Sequence, residues 1–222
     1  MPARDADTPV LTGEHLLARF NALDAFLSEH QALWRPRPFT QRQLPWETDH
    51  PGLAAWLRQR TLEDAENSHN HPEQLDAPAP FPALAAEATT LGAVGELAIQ
   101  AIAPAAHRLN VDVPGRKWQQ IEAFAACLRF TDTPRHWLDW CSGKGHLGRR
   151  LLQADQQLTC LEYDPALVSS GQALSQHHHL PALHRQQDVL ADDAAQHLSA
   201  DLTPVALHAC GDLHVRLLQL AS

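Results

Sequence analysis

A chain of 222 residues, 44% hydrophobic and 6% aromatic, is long enough to bury the core of one or two ordinary soluble domains. Its net charge of −9 divides into −7 over residues 1–112 (8 basic and 15 acidic side chains) and −2 over 113–222 (9 basic, 11 acidic), so neither part is a basic nucleic-acid surface. Four cysteines without C-x-x-C spacing, a polar opening at Met1–Asp5 and no apolar run of membrane-spanning length argue against a disulfide scaffold and a membrane partner, and make a cytoplasmic protein the expectation.

In chain order, Thr12 can cap a helix over 12–33, with Leu16, Leu17, Phe20, Leu23 and Leu27 on one face. Residues 34–50 read as irregular because Pro36, Pro38 and Pro45 break any element, leaving Trp34, Phe39 and Trp46 to pack. A second helix runs from Leu53 to Glu66 after Pro51, followed by an exposed polar loop over 67–82. Pro82 to Ile102 is alanine-rich and predicts a helix that Gly92 and Gly95 bend. This defines a helical N-terminal region over residues 1–112, with 103–113 as its connection to a second region.

The second region, 113–222, opens on a helix from Pro114 with Trp118, Ile121 and Phe124 inward. Strand and helix then alternate: strand 136–140, helix 145–154, strand 158–162, helix 165–178, strand 183–187 and strand 204–209. That alternation predicts an α/β fold, an open parallel sheet with right-handed crossovers.

Residues 136–148 carry the chemistry. An apolar strand ends in Asp139, then turns through Cys141, Ser142, Gly143, Lys144, Gly145 and His146 to Gly148, a G-x-G-x-x-G spacing that opens a helix. Such a turn lets backbone N–H groups and a helix N-terminus approach a ligand; the plain alternative is a tight strand-to-helix turn without one. Glu162 ends the next strand, near the spacing of a ribose-binding acid. The ligand follows from charge. A dinucleotide pyrophosphate would meet the carboxylate of Asp139 as a like charge. S-adenosylmethionine carries no phosphate; Asp139 can meet its ammonium directly or through water, the N–H groups of Gly143 to Gly145 with Lys144 its carboxylate, and Glu162 its ribose hydroxyls. S-adenosyl-L-methionine is therefore the expected cofactor and NAD the weaker alternative.

Asp139 to Gly148 resembles motif I of the class I S-adenosylmethionine-dependent methyltransferases, with Cys141 where many of them carry glycine. The run Val205-Ala206-Leu207-His208-Ala209-Cys210-Gly211-Asp212 is similar to a His-Ala-Cys-Gly-type subgroup that also includes the methyltransferase-like part of the glutathione S-transferase C-terminal domain-containing protein. The resemblance is clearest from Pro114 onward. It implies a Rossmann-like sheet of seven strands. Only four can be counted here, so the chain reads as the cofactor-binding part of a longer, C-terminally truncated enzyme whose fourth strand leaves an exposed sheet edge for a partner. The resemblance adds Tyr163 to the candidate site beside Glu162, and Asp188-Val189 at the position where an acid accepts from the adenine amino group; a turn acid is the alternative for Asp188. It sets Arg116–Gln120 before motif I, so that Lys117 and Gln120 either border the pocket or belong to a packing helix. It also puts His208 between cofactor and acceptor, where a neutral imidazole can take a proton.

The Asp/Asn-Pro-Pro-Tyr/Phe signature of amino-group nucleic-acid methyltransferases is absent after the fourth strand, and the methyl acceptor is unknown. A non-catalytic S-adenosylmethionine-binding or interaction module is the rival function. Cys141, Cys210, His146 and His208 share one rim, but without a familiar ligand spacing the expectation is no metal; His177–His179, His69 and His71 read as surface histidines.

Overall fold

By its internal packing the chain divides into two compact units, Met1–Leu97 and Ala98–Ser222. The computed structural model describes residues 10–37, 40–69, 71, 75–95, 97–105 and 109–221; Pro38, Phe39 and the opening Met1–Asp5 lie outside them.

In the first unit, α1 (Gly13–Glu29) begins after Thr12, whose extended backbone suits an N-cap although its side chain makes no capping bond. No residue of α1 is buried, and Leu16, Leu17, Phe20 and Leu27 are exposed. What ties α1 down is polar: Arg19 donates to the carbonyls of Thr90 (2.7 Å) and Ala93 (2.6 Å). Two short helices follow, α2 (Gln31–Trp34) and α3 (Trp46–Asp49). The single helix expected over 53–66 is two, α4 (Pro51–Arg58) and α5 (Leu62–Ser68). They part at a capping box. The Thr61 hydroxyl accepts from the Asp64 N–H (3.1 Å) while the Asp64 carboxylate accepts from the Thr61 N–H (2.8 Å). The alanine-rich helix, α6 (Phe81–Gly92), stops at its first glycine rather than bending through it.

In the second unit, α7 (Gly115–Cys127) precedes β1 (His136–Trp140), α8 (His146–Leu151), β2 (Gln157–Glu162), α9 (Pro165–His177), β3 (Ala182–Gln186), β4 (Leu202–Val205) and α10 (Asp212–Ala221). A short 3₁₀ helix over Asp192–His197, which the sequence does not announce, sits between β3 and β4. The four strands are parallel in the order β3-β2-β1-β4, with Asp139 beside both Cys160 and Val205. With helices on the sheet this is the Rossmann-like arrangement expected. The chain winds one way through β1, β2 and β3 and then crosses back to set β4 on the other side of β1. Ligands of such sheets bind at the carboxyl ends of the strands beside that reversal.

Period-two alternation sorts β1 onto two cores. Trp137 packs with Ile121 of α7, Leu147 and Leu151 of α8, and Leu158 and Cys160 of β2. Leu138 and Trp140 face the opposite layer with Leu161, Val189, Ala194, Ala209 and Leu217. Trp118 and Phe124 lean on the first core, so α7 presents the face its spacing predicts. No described helix is long and apolar enough to cross a membrane.

Candidate functional site

The turn after β1 is built from left-handed backbone. Cys141 (φ +55°), Gly143 (φ +55°) and Gly145 (φ +75°) all adopt it, and Cys141 does so without glycine's freedom. The Ser142 N–H donates to Leu161 O (2.9 Å), pinning the turn to β2, and the Gly145 N–H donates to Ser142 O (2.8 Å). The three glycines have different physical reasons. A Cβ on Gly145 would lie 2.6 Å from His184 Cε1 and 2.9 Å from Cys160 Sγ, and one on Gly148 would lie 2.5 Å from Leu158 Cδ1. Those two permit close packing of α8 on the sheet. A Cβ on Gly143 would meet nothing within 4 Å, so this residue alone faces open space.

Asp139 is placed differently from the expectation that it meets a ligand ammonium. Its side chain is 2% exposed, and Oδ2 accepts from the Gly148 N–H (2.9 Å), joining β1 to the first turn of α8. Burial raises its pKa from 3.8 to about 7, against the pull of the Gly148 N–H, Arg149 and Lys117. A carboxyl that is half neutral near pH 7 repels a pyrophosphate only weakly. The charge argument that set NAD aside therefore loses much of its force.

Glu162 closes the other side of the turn. Oε2 accepts from the Gly143 N–H (2.8 Å) and Oε1 from the Asp164 N–H (3.0 Å). The Gly143 and Gly145 N–H groups, expected to meet a ligand carboxylate, are thus engaged within the protein. Each Glu162 oxygen keeps a second lone pair for a hydroxyl. Beside Glu162 opens a cleft of about 270 Å³ lined by Cys141, Glu162, Tyr163, Gln187, Asp188, Val189 and Leu213. These residues end or follow β1, β2 and β3 or begin α10, so the cleft lies at the carboxyl ends of the strands. Five of them are predicted site residues; Gln187 and Leu213 are not. Asp188 is exposed with Oδ1 on the Leu190 N–H (3.0 Å), while Val189 is buried in the sheet core. A larger cleft of about 910 Å³, lined in part by Pro134, Trp137, Gln153, Gln156 and Leu180, opens where the chain leads into the strands, at the end away from the turn.

The remaining candidates divide. Lys117 is near enough for its charge to act on both Asp139 and His146, so α7 begins beside the turn; Gln120 is exposed and makes no hydrogen bond to it. Lys144 is half-buried in the turn. His146 is buried, and burial followed by the nearby Arg149 charge lowers its pKa to about 4. Burial, reinforced by Glu162, Asp139 and Asp188, pushes the Cys141 thiol up to about 11, which keeps it protonated. His208 was expected inside the fourth strand, but β4 ends at Val205 and His208 lies beyond it in a left-handed bend (φ +70°); it is exposed and outside the cleft lining. With His146 inside the protein and His208 in that bend, the Cys141/Cys210/His146/His208 rim does not form a ligand set; among the described residues no group of three or more His, Cys, Asp or Glu side chains is arranged to hold a metal.

Two side-chain networks have no counterpart in the sequence pattern. The Gln187 amide donates to Asp193 Oδ1 (2.7 Å) and Asp188 O (2.9 Å), and its oxygen pairs with His197 Nε2 (2.9 Å), so the 3₁₀ helix braces the cleft loop. Beneath the turn, Arg149 is 2% exposed and bonded to Lys144 O, His146 and Ser175. The only local hint of Arg149 is an arginine immediately after the last glycine, on the face of α8 opposite Leu147 and Leu151.

The fit of an adenosyl cofactor rests on this geometry. Gly143 opens on free space, and two carboxylates flank the cleft. Residues 116–222, just under half the chain, match the family model described as a methyltransferase domain. No curated protein matches the chain.

Proposed function

We propose that this chain holds S-adenosyl-L-methionine in the cleft at the carboxyl ends of β1, β2 and β3 and serves as the cofactor-binding portion of a methyltransferase whose acceptor is unknown. The match of residues 116–222 to a methyltransferase domain supports the reaction class. The observation that carries the cofactor is the pairing of Glu162 with Gly143 at 2.8 Å on the rim of that cleft: an acid with spare lone pairs stands beside the one turn glycine that faces open space. In this reading the adenosine lies against Glu162, Asp188 and Val189, Tyr163 covers the rim, and the amino-acid tail meets the turn at Ser142–Lys144. When bound, the cofactor supplies an electrophilic methyl group on a sulfonium. The protein's part is to orient it and exclude water, which asks for positioning more than for a reactive side chain. The His-Ala-Cys-Gly bend supports the narrower subgroup. The four free thiols, with no described helix fit to span a membrane, support a cytoplasmic setting.

The second reading, a non-catalytic S-adenosylmethionine-binding or interaction module, is favoured by His208, which is exposed and outside the cleft lining. Titration calorimetry of the full chain with S-adenosylhomocysteine and with NAD tests the cofactor: the expected result is binding of the first and not the second, and the reverse overturns the proposal. A screen for methyl transfer to mixed acceptors then separates enzyme from module.

A further inference from the structure

A guanidinium inside a protein is costly unless its donors are used. Arg149 is 2% exposed, and burial lowers its pKa from the ordinary value. No carboxylate pairs directly with it among the described residues, yet its donors are spent on one place. Nη1 donates to Lys144 O (2.5 Å) in the middle of the turn and, more distantly, to Ser175 Oγ on α9 (3.4 Å); Nη2 donates to His146 Nδ1 (3.0 Å). Because a guanidinium only donates, His146 Nδ1 is the acceptor in that bond and the ring's proton sits on Nε2. The surroundings are shaped for this. A Cβ on Gly171 of α9 would lie 3.0 Å from Lys144 O and 2.5 Å from the His184 ring, so glycine there lets α9 close over the same carbonyl.

We infer that Arg149 is a positioning residue: from beneath the turn, without touching a ligand, its guanidinium holds the Lys144–Gly145 peptide in the orientation that presents Ser142–Lys144 to the cofactor's amino-acid tail. The inference rests on the proposed cofactor. It deepens that proposal, since it assigns control of the tail end of the site to a side chain outside it. The adenosine end stands on Glu162, Asp188 and Gln187, none of which bonds Arg149.

The test compares two ligands that differ only at the tail end. S-adenosylhomocysteine carries the amino-acid tail; 5′-methylthioadenosine has the same adenosine and thioether without it. Calorimetry of wild type, Arg149→Met and Arg149→Lys is read with both, each variant's fold being checked by its thermal transition. The expected result is that Arg149→Met weakens S-adenosylhomocysteine by about tenfold or more, the scale of one charge-assisted hydrogen bond. Arg149→Lys, which keeps a cation for Lys144 O but loses the fork to His146, should fall between. Methylthioadenosine should bind all three alike. Equal weakening of both ligands would mean a merely structural role and overturn the inference, as would no weakening of either. Should Arg149→Met not fold, Arg149→Lys decides by the same split. Wild type that binds neither ligand overturns the cofactor proposal itself, and this inference with it.

Discussion

Asp139 and Gly148 meet at 2.9 Å beneath the turn, a carboxylate oxygen accepting a backbone N–H where neither is open to water. One bond thus locks the end of a strand to the start of the following helix, and it places a titrating group in the interior with a pKa of about 7.

That group makes stability depend on pH in a definite sense. The folded-state pKa of Asp139 is raised from 3.8 to about 7, so between those values the folded chain holds a proton the unfolded chain has released. Its share of stability is complete below about pH 4 and is lost as pH rises through 7. His146 and His184 act oppositely. Burial, then the Arg149 charge, lowers each from 6.5 to about 4, so their share is complete above 6.5 and lost as pH falls through 4. Asp139→Asn removes only the first effect. Its stability relative to wild type should climb between pH 4 and pH 7, by on the order of 4 kcal/mol for a shift of that size. Urea denaturation across that range measures it, and a constant offset would contradict it.

The three glycines of the turn should not respond alike to alanine. Gly143→Ala meets only open space and a left-handed backbone, a loss of about 1 kcal/mol. Gly148→Ala forces Leu158 aside and should cost about 2 kcal/mol. Gly145→Ala combines both faults, with φ at +75° and His184 at 2.6 Å, and should cost about 3 kcal/mol. Thermal unfolding ranks the three, and equal losses would refute the packing roles.

Cys141 occupies left-handed backbone that a branched side chain resists more than any other. Cys141→Val is nearly isosteric and more hydrophobic, yet it should destabilise by about 1–2 kcal/mol, while Cys141→Gly should stay close to wild type. A valine variant as stable as wild type would mean that the backbone there is not held at φ +55°.

Glu162→Gln leaves one acceptor oxygen for two backbone N–H donors, those of Gly143 and Asp164. The turn should loosen, with a stability loss of about 1–2 kcal/mol. S-adenosylhomocysteine should bind about tenfold more weakly, since a hydroxyl partner is lost as well. Unchanged affinity in calorimetry would remove Glu162 from the ligand site.

The predicted strand at 136–140 is β1 to the residue, and the other strands fall close to their predicted bounds, except that β4 ends at Val205. The turn from Cys141 to Gly148 and the acid at the end of β2 were likewise readable. These features are local: an apolar run, a glycine spacing and a carboxylate at a strand end lie within a few residues of one another. The capping box at Thr61 is equally local, but Asp64 at the N3 place is hidden inside an apparently continuous helix.

Burial and direction were not local, and there the outcome changed. Apolar spacing puts Leu16, Leu17 and Phe20 on one side of α1, but whether that side is covered depends on other elements, and within its own unit it is exposed. Asp139 shows the same division. A carboxylate at the strand end is written in residues 136–140, whereas its inward turn depends on α8 offering the Gly148 N–H. Arg149, Ser175 and His184 are scattered over α8, α9 and β3, and Gln187, Asp193 and His197 over a loop and a 3₁₀ helix. Hydrogen bonds among them form only once the sheet brings those segments within reach, because a side-chain bond acts over about 3 Å, while Arg149 and Ser175 lie 26 residues apart in the chain. Short-range patterning was therefore enough for the strand–helix order of the second unit and for the turn, but not for the break between α4 and α5 or for the 3₁₀ helix; packing alone settled which polar groups face the cleft and which hold it from behind.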